Sequence, residues 1–211
     1  YTQGQFQKAL SQGSELLKDF PNSINLYNII GASNKGLGKL EEAIEAYKKA
    51  LSIKPDYAEA YNNMGIALKD QGKLEESIEA YNKVISFKPD YAEAYNNMGI
   101  ALKDQGKLDE AIEAYNKTLS LKPDYAETYN NMGIALQGQG KLEESIEAYN
   151  KALSINPDYA ETYNNMGIAL QGQGKLEESI EACNKALSLK PDYAQAYNNM
   201  GVALKDQGKL K

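Results

Sequence analysis

AEAYNNMGIALKDQGKLEESIEAYNKVISFKPDY, residues Ala58–Tyr91, is one period of a pattern that runs through the whole 211-residue chain. Its proline, Pro89, has counterparts at Pro21, Pro55, Pro123, Pro157 and Pro191, and every gap is 34 residues. A fixed period of that size is the signature of a repeat array, in which each unit buries its apolar face by stacking on its neighbours. Complete copies run 24–57, 58–91, 92–125, 126–159 and 160–193. Residues 1–23 match the second half of a unit and residues 194–211 match the first half. The expected organisation is therefore a single array over 1–211 with a half repeat at each end.

Two helical segments are expected in each unit. The first opens after Lys-Pro-Asp-Tyr. Asp56 is placed to cap it, with Glu59 three residues on as the returning half of a capping box. Pro55 lies just outside, where a missing N–H costs little. Gly72 is placed to stop the helix in a left-handed conformation. The second segment is expected from Leu74 to Phe87, ending before Pro89. Tyr61, Met64, Gly65 and Leu68 share one stripe of the first helix, and Leu74, Ile78, Tyr81 and Ile85 share one stripe of the second. Gly65 inside its stripe lets the partner helix approach closely, against a propensity cost of roughly 1 kcal/mol. Glu79 with Lys83, Glu113 with Lys117 and Glu147 with Lys151 have favourable i,i+4 spacing and read as a solvated outer face.

Composition narrows the function. Hydrophobic residues make up 42% of the chain, enough for a sizeable core, and the net charge of −6 argues against a nucleic-acid binder. No apolar run approaches the roughly 20 residues of a membrane span. The chain has no histidine, which removes the usual general base and the commonest zinc ligand. Asp and Glu recur at every period, whereas catalytic residues should be singular. No enzyme activity, metal or cofactor is expected. The lone Cys183 excludes an internal disulfide and points to a reducing compartment, hence to a cytoplasmic protein. It stands where Tyr47, Tyr81, Tyr115 and Tyr149 stand in other units, and reads as a small, inert core residue.

The spacing Tyr61-x-x-Met64-Gly65-x-x-Leu68, then Ser77-x-x-x-Tyr81, then Pro89 resembles the tetratricopeptide repeat over almost the whole chain. Tyr replaces the usual Trp at Tyr61. Ser77, Ser145 and Ser179 stand where Ala43 and Ala111 keep the usual small residue. Unit 24–57 is looser, with Asn34 in the place of Leu68. The resemblance implies an all-α solenoid: antiparallel helix pairs stacked into a right-handed superhelix, with the first helices lining a concave groove suited to a peptide or protein segment.

Helical residues advance by about 100° each. If Tyr61, Met64, Gly65 and Leu68 are packed, then Glu59, Asn63, Ile66 and Asp70 point the other way, into the groove. Glu93, Asn97, Ile100 and Asp104 do the same in the next unit. Asn131 with Ile134, Asn165 with Ile168, and Asn199 continue the row. Asn62 falls on a flank and reads as structural. An asparagine amide can pair with both N–H and C=O of an extended backbone, so a row of them would hold a peptide without reading its sequence. A similar asparagine ladder lines the repeats of the O-linked N-acetylglucosamine transferase family. The likeness covers those five asparagines and fails at Ile29 in the first unit. A recurring asparagine can equally be solvated, or bond a neighbouring repeat's backbone.

Five neutral hydrogen bonds at about 0.5–1.5 kcal/mol each, less the cost of ordering a peptide, give micromolar affinity at best. The repeating glutamates make the groove acidic to neutral, so the expected partner is a neutral or basic segment. Two alternatives stay open. The unpartnered helix at each end of the array could stack end to end into homo-oligomers. The array could also recruit substrate for a larger enzyme.

Overall fold

The computed structural model of the chain describes residues 2–208. Among these residues it is all helical. The twelve helices are α1 (Gln3–Asp19), α2 (Ile24–Gly36), α3 (Leu40–Ile53), α4 (Ala58–Asp70), α5 (Leu74–Phe87), α6 (Ala92–Asp104), α7 (Leu108–Leu121), α8 (Ala126–Gly138), α9 (Leu142–Ile155), α10 (Ala160–Gly172), α11 (Leu176–Leu189) and α12 (Ala194–Asp206). Even-numbered helices are the first of a repeat and odd-numbered helices the second. The chain divides into two compact units, Tyr1–Gln105 and Gly106–Lys211. Each unit opens on a second-type helix and closes on a first-type helix.

The turn after each first-type helix is built by its glycine. Gly72 has φ +78°, with equivalents at Gly38, Gly106, Gly140, Gly174 and Gly208. Around it, Gly72 N–H donates to Lys69 O at 2.8 Å and Lys73 N–H donates to Leu68 O at 2.9 Å. These two bonds make a Schellman stop that satisfies the last carbonyls and turns the chain back at once. The helix starts differ from the capping box read in the sequence. Tyr57, not Asp56, is the N-cap of α4, and no side chain caps it. Glu59 is therefore at the second helical position, one short of where a capping box needs it.

Inside the repeats 24–57, 58–91 and 126–159 the two helices meet through glycine and tyrosine. A Cβ on Gly65 would lie 2.7 Å from the Tyr81 ring, and one on Gly133 would lie 2.5 Å from the Tyr149 ring. Tyr47, Tyr81, Tyr115 and Tyr149 are fully buried. The serines that replace alanine serve the same junction. Ser77, Ser145 and Ser179 each donate to the carbonyl of the facing glycine (Gly65, Gly133 and Gly167) at 2.7–2.9 Å. Each hydroxyl is thus buried with a partner, at a site where alanine alone would need none.

Between repeats, small residues let helices stack. Ala43, Ile44 and Tyr47 of α3 pack with Ala67 and Leu68 of α4 and Ala80 of α5. Within a unit, first-type helices touch one another, as α2 touches α4 and α4 touches α6, whereas the backbones of α3 and α5 stand apart and share only side-chain packing over α4. The first-type helices therefore lie on the inner side of each unit's bend. The architecture is an all-α repeat solenoid.

Candidate functional site

Four of the five asparagines expected in the row form pairs across a repeat boundary, while Asn131 Nδ2 makes no hydrogen bond among the described residues. Asn97 Nδ2 donates to Asn62 Oδ1 at 3.2 Å, and Asn63 Nδ2 donates to Asn28 Oδ1 at 3.0 Å. In the second unit Asn165 donates to Asn130 at 3.1 Å and Asn199 to Asn164 at 2.8 Å. The first asparagine is buried in three of the pairs (Asn62 7% exposed, Asn130 5%, Asn164 4%) and half-buried at Asn28. The second is half-buried on the first-type helix. Thr162 also donates to Asn130 Oδ1, at 3.1 Å. The two asparagines thus have distinct jobs. One is a buried acceptor that locks the stack. The other is anchored by one amide hydrogen, which fixes its plane and leaves Oδ1 and the second N–H as the groups it can present.

The other residues expected in the groove are placed as follows. Ile66, Ile100, Ile134 and Ile168 are half-buried on the same helices, as is Asn131. Asp70 is paired with Lys35 of the preceding first-type helix and with its neighbour Lys69, each at 3.3 Å. Asp104 pairs with Lys103 at 2.8 Å. Glu59 takes the ammonium of Lys88 at 2.5 Å, and that hydrogen bond holds its carboxyl below its ordinary value. Glu93 sits half-buried at the equivalent place on α6. Part of the acidic charge expected in the groove is therefore neutralised by the protein's own lysines.

A feature not read from the sequence lies between the second-type helices. Because these splay apart, a cleft opens over the first-type helix beneath them. In the second unit it measures about 610 Å³, with a floor of Tyr163, Met166 and Leu170 and walls from Ile146, Asn150, Glu178 and Lys185. The equivalent cleft in the first unit, over Tyr61, Met64 and Leu68, is about 200 Å³. Tyr61 and Met64 are half-buried rather than core. Glu79 and Lys83, expected to pair with each other, both line the smaller cleft and form no ion pair among the described residues.

Cys183 is fully buried against Gly167, and burial pushes its thiol up, so it is held as an inert thiol. Its repeat also loses a bond. Tyr149 donates to Gln137 Oε1 at 3.0 Å, and burial pushes its phenol up to about 12, so it stays a donor. With no tyrosine at position 183, Gln171 turns to Asp206 at 2.8 Å instead.

Among the described residues, no helix is long and apolar enough to cross a membrane. No curated protein matches the chain by sequence. Family models of the TPR repeat match residues 35–72, 67–106 and 172–208, and those of the tetratricopeptide repeat match 90–158 and 148–181. Among solved structures, MamA is similar at 30% identity with a TM-score of 0.70, over 82% of this chain and 94% of that one. PilF of Pseudomonas aeruginosa shares the fold at 19% identity and a TM-score of 0.78, over 88% of this chain and 85% of that one. YrrB, described as a TPR protein with an unusual peptide-binding site, shares it at 19% identity and a TM-score of 0.68, over 88% and 96%. Both the repeat models and a relative at 30% identity place the chain in the tetratricopeptide-repeat family, whose members serve as protein-interaction scaffolds.

Proposed function

We propose that the chain is a non-enzymatic scaffold that holds an extended, neutral-to-basic peptide or protein segment along the first-type helices of each unit. The observation that carries this reading is the anchored amide row. Each of Asn63, Asn97, Asn165 and Asn199 has one N–H fixed by the preceding repeat. The remaining N–H and carbonyl are oriented before any ligand arrives, which lowers the ordering cost of binding. The half-buried isoleucines beside the row supply apolar contact, and in the first repeat Ile29, 46% exposed, takes the asparagine's own place in the row.

Selection of extended peptides from a displayed library against the full chain tests the reading. The selected peptides are then measured on a variant in which the pairs Asn62–Asn97 and Asn164–Asn199 are alanine. Removing both members of a pair leaves no orphaned buried acceptor, so the fold should persist. Selected peptides of neutral or basic character, weakened about tenfold or more by the substitutions, support the reading. Unchanged affinity overturns it.

A second reading is favoured by the apolar residues of α12 and of α1 with its C-cap Phe20. Tyr197 and Val202 are 52% and 47% exposed, and Leu16 and Phe20 are 44% and 60% exposed. Stacking of α12 on α1 of another copy would cover both faces in a heterologous contact. Sedimentation over a concentration series tests it: growing assemblies support it, and a constant monomer at the highest concentration rules it out.

A further inference from the structure

The Lys-Pro-Asp-Tyr turn recurs at Lys54–Tyr57, Lys88–Tyr91, Lys122–Tyr125 and Lys190–Tyr193, but the turn before α10 reads Asn156-Pro157-Asp158-Tyr159. In the four lysine turns the ammonium lies over the tyrosine ring, at 5.7, 5.8, 4.3 and 4.9 Å from its centroid. That is cation–π range. Lys88 also reaches Glu59, and Lys190 reaches Glu161 at 3.5 Å, each a carboxylate in the first turn of its own repeat. Ring and carboxylate together form a two-sided seat for one ammonium, and in those repeats the protein fills it itself.

The repeat 126–159 has the seat without the occupant. Glu127 stands where Glu59 and Glu161 stand, is exposed, and has no ion pair among the described residues. Asn156 turns back on its own loop, accepting from Asp158 N–H at 3.2 Å. The neighbouring cations are committed: Lys190 to Glu161, and Lys122 over the Tyr125 ring at 4.3 Å. Burial, and then the charges of Glu127 and Glu161, hold the Tyr159 phenol above its ordinary value. At Tyr91, by contrast, Lys88 pulls back against the same influences.

We propose that Glu127 and Tyr159 form a subsite for a lysine side chain of a bound segment, whose ammonium takes the place that Lys88 occupies between Glu59 and Tyr91. The subsite rests on the scaffold reading above and adds to it a fixed point. An otherwise uniform row of amides cannot set the register of a peptide, and one vacant cation seat on the second unit can.

The probe is N-acetyl-lysine-N-methylamide, compared with its norleucine analogue, titrated into the full chain carrying ring-labelled tyrosines. Tyr159 is assigned by Tyr159→Phe. The lysine probe should shift Tyr159 and leave Tyr91 and Tyr193 unmoved, and should bind about two- to fivefold tighter than the norleucine analogue. Glu127→Gln should remove that preference. Asn156→Lys should abolish the shift by filling the seat from within. This variant restores the residue found in the other four turns, so it is expected to fold. A Tyr159 shift no larger than that of Tyr91, or an Asn156→Lys variant that binds like the unaltered chain, overturns the proposal.

An uncharged alanine–glutamine peptide separates the two readings. If it perturbs the amides of Asn165 and Asn199 while the lysine probe misses Tyr159, the scaffold stands and the subsite falls. If the lysine probe finds Tyr159 and no peptide touches the amides, the cation seat at Glu127 and Tyr159 stands while the amide row as the peptide's holder falls.

Discussion

Replacing Asn97 with alanine should cost more than the bond it removes. The change leaves Asn62 Oδ1 without its donor on a side chain only 7% exposed. An orphaned buried acceptor costs about 1–3 kcal/mol, against a helix-propensity gain of roughly 0.6 kcal/mol from Asn to Ala. The net loss is about 0.5–2.5 kcal/mol. Replacing Asn62 instead leaves the Asn97 amide, which is half-buried and can turn to water. That loses a net hydrogen bond of about 0.5–1.5 kcal/mol, again offset by propensity. With both replaced, neither group is stranded and the change should be close to neutral. The two single losses should therefore exceed the double by about 1–2 kcal/mol. Urea unfolding of the four proteins, followed by circular dichroism and fitted with a nearest-neighbour repeat scheme, measures this coupling. Additivity within about 0.3 kcal/mol would refute the idea that the amide pair locks adjacent repeats.

Gly133→Ala should destabilise by about 1–3 kcal/mol, since its Cβ would sit 2.5 Å from the buried Tyr149 ring, whereas Gly201→Ala, with nothing within 4 Å, should raise the melting temperature. Tyr81 has a buried hydroxyl with no hydrogen-bond partner, because Lys69 stands where Gln137 accepts from Tyr149; Lys69→Gln should add about 1 kcal/mol in a denaturant titration. Cys183 should resist a thiol reagent until the chain unfolds, given its burial and raised thiol. Cys183→Tyr should raise the melting temperature by restoring the ring contact to Gly167 and a donor to Gln171. A lowered value would mean the helices have closed onto the smaller side chain.

The period of 34 residues carried the fold because prolines, left-handed glycines and apolar stripes all repeat in step with it. Gly72 ending α4, and α5 running from Leu74 to Phe87, followed from local chemistry alone. The helix start was misjudged by one residue: Asp56 lies in the turn, so Glu59 meets Lys88 rather than the backbone N–H of Asp56. Directions around a single helix were also legible, and they separated Asn62 from Asn63. What Asn63 would meet was not, because its partner Asn28 lies 35 positions away and meets it only through the stacking offset between repeats. The clefts were missed for a related reason. A stripe such as Tyr61, Met64 and Leu68 looks like core in one dimension, and only the splay of α3 from α5 leaves part of it open. Asn156 breaks the Lys-Pro-Asp-Tyr pattern but was not singled out in the sequence, because its meaning required the positions of Lys88 and Lys190.

The side-chain amide NMR signals of Asn63, Asn97, Asn165 and Asn199 test the two-role assignment most directly. In the free protein each should show one slowly exchanging proton, the one donated to the preceding repeat, and one that exchanges quickly. On adding a selected extended peptide, the fast proton should become protected and shift while the slow one stays. Equal exchange of both protons in the free protein, or a peptide that moves only signals of α9 and α11, would contradict it.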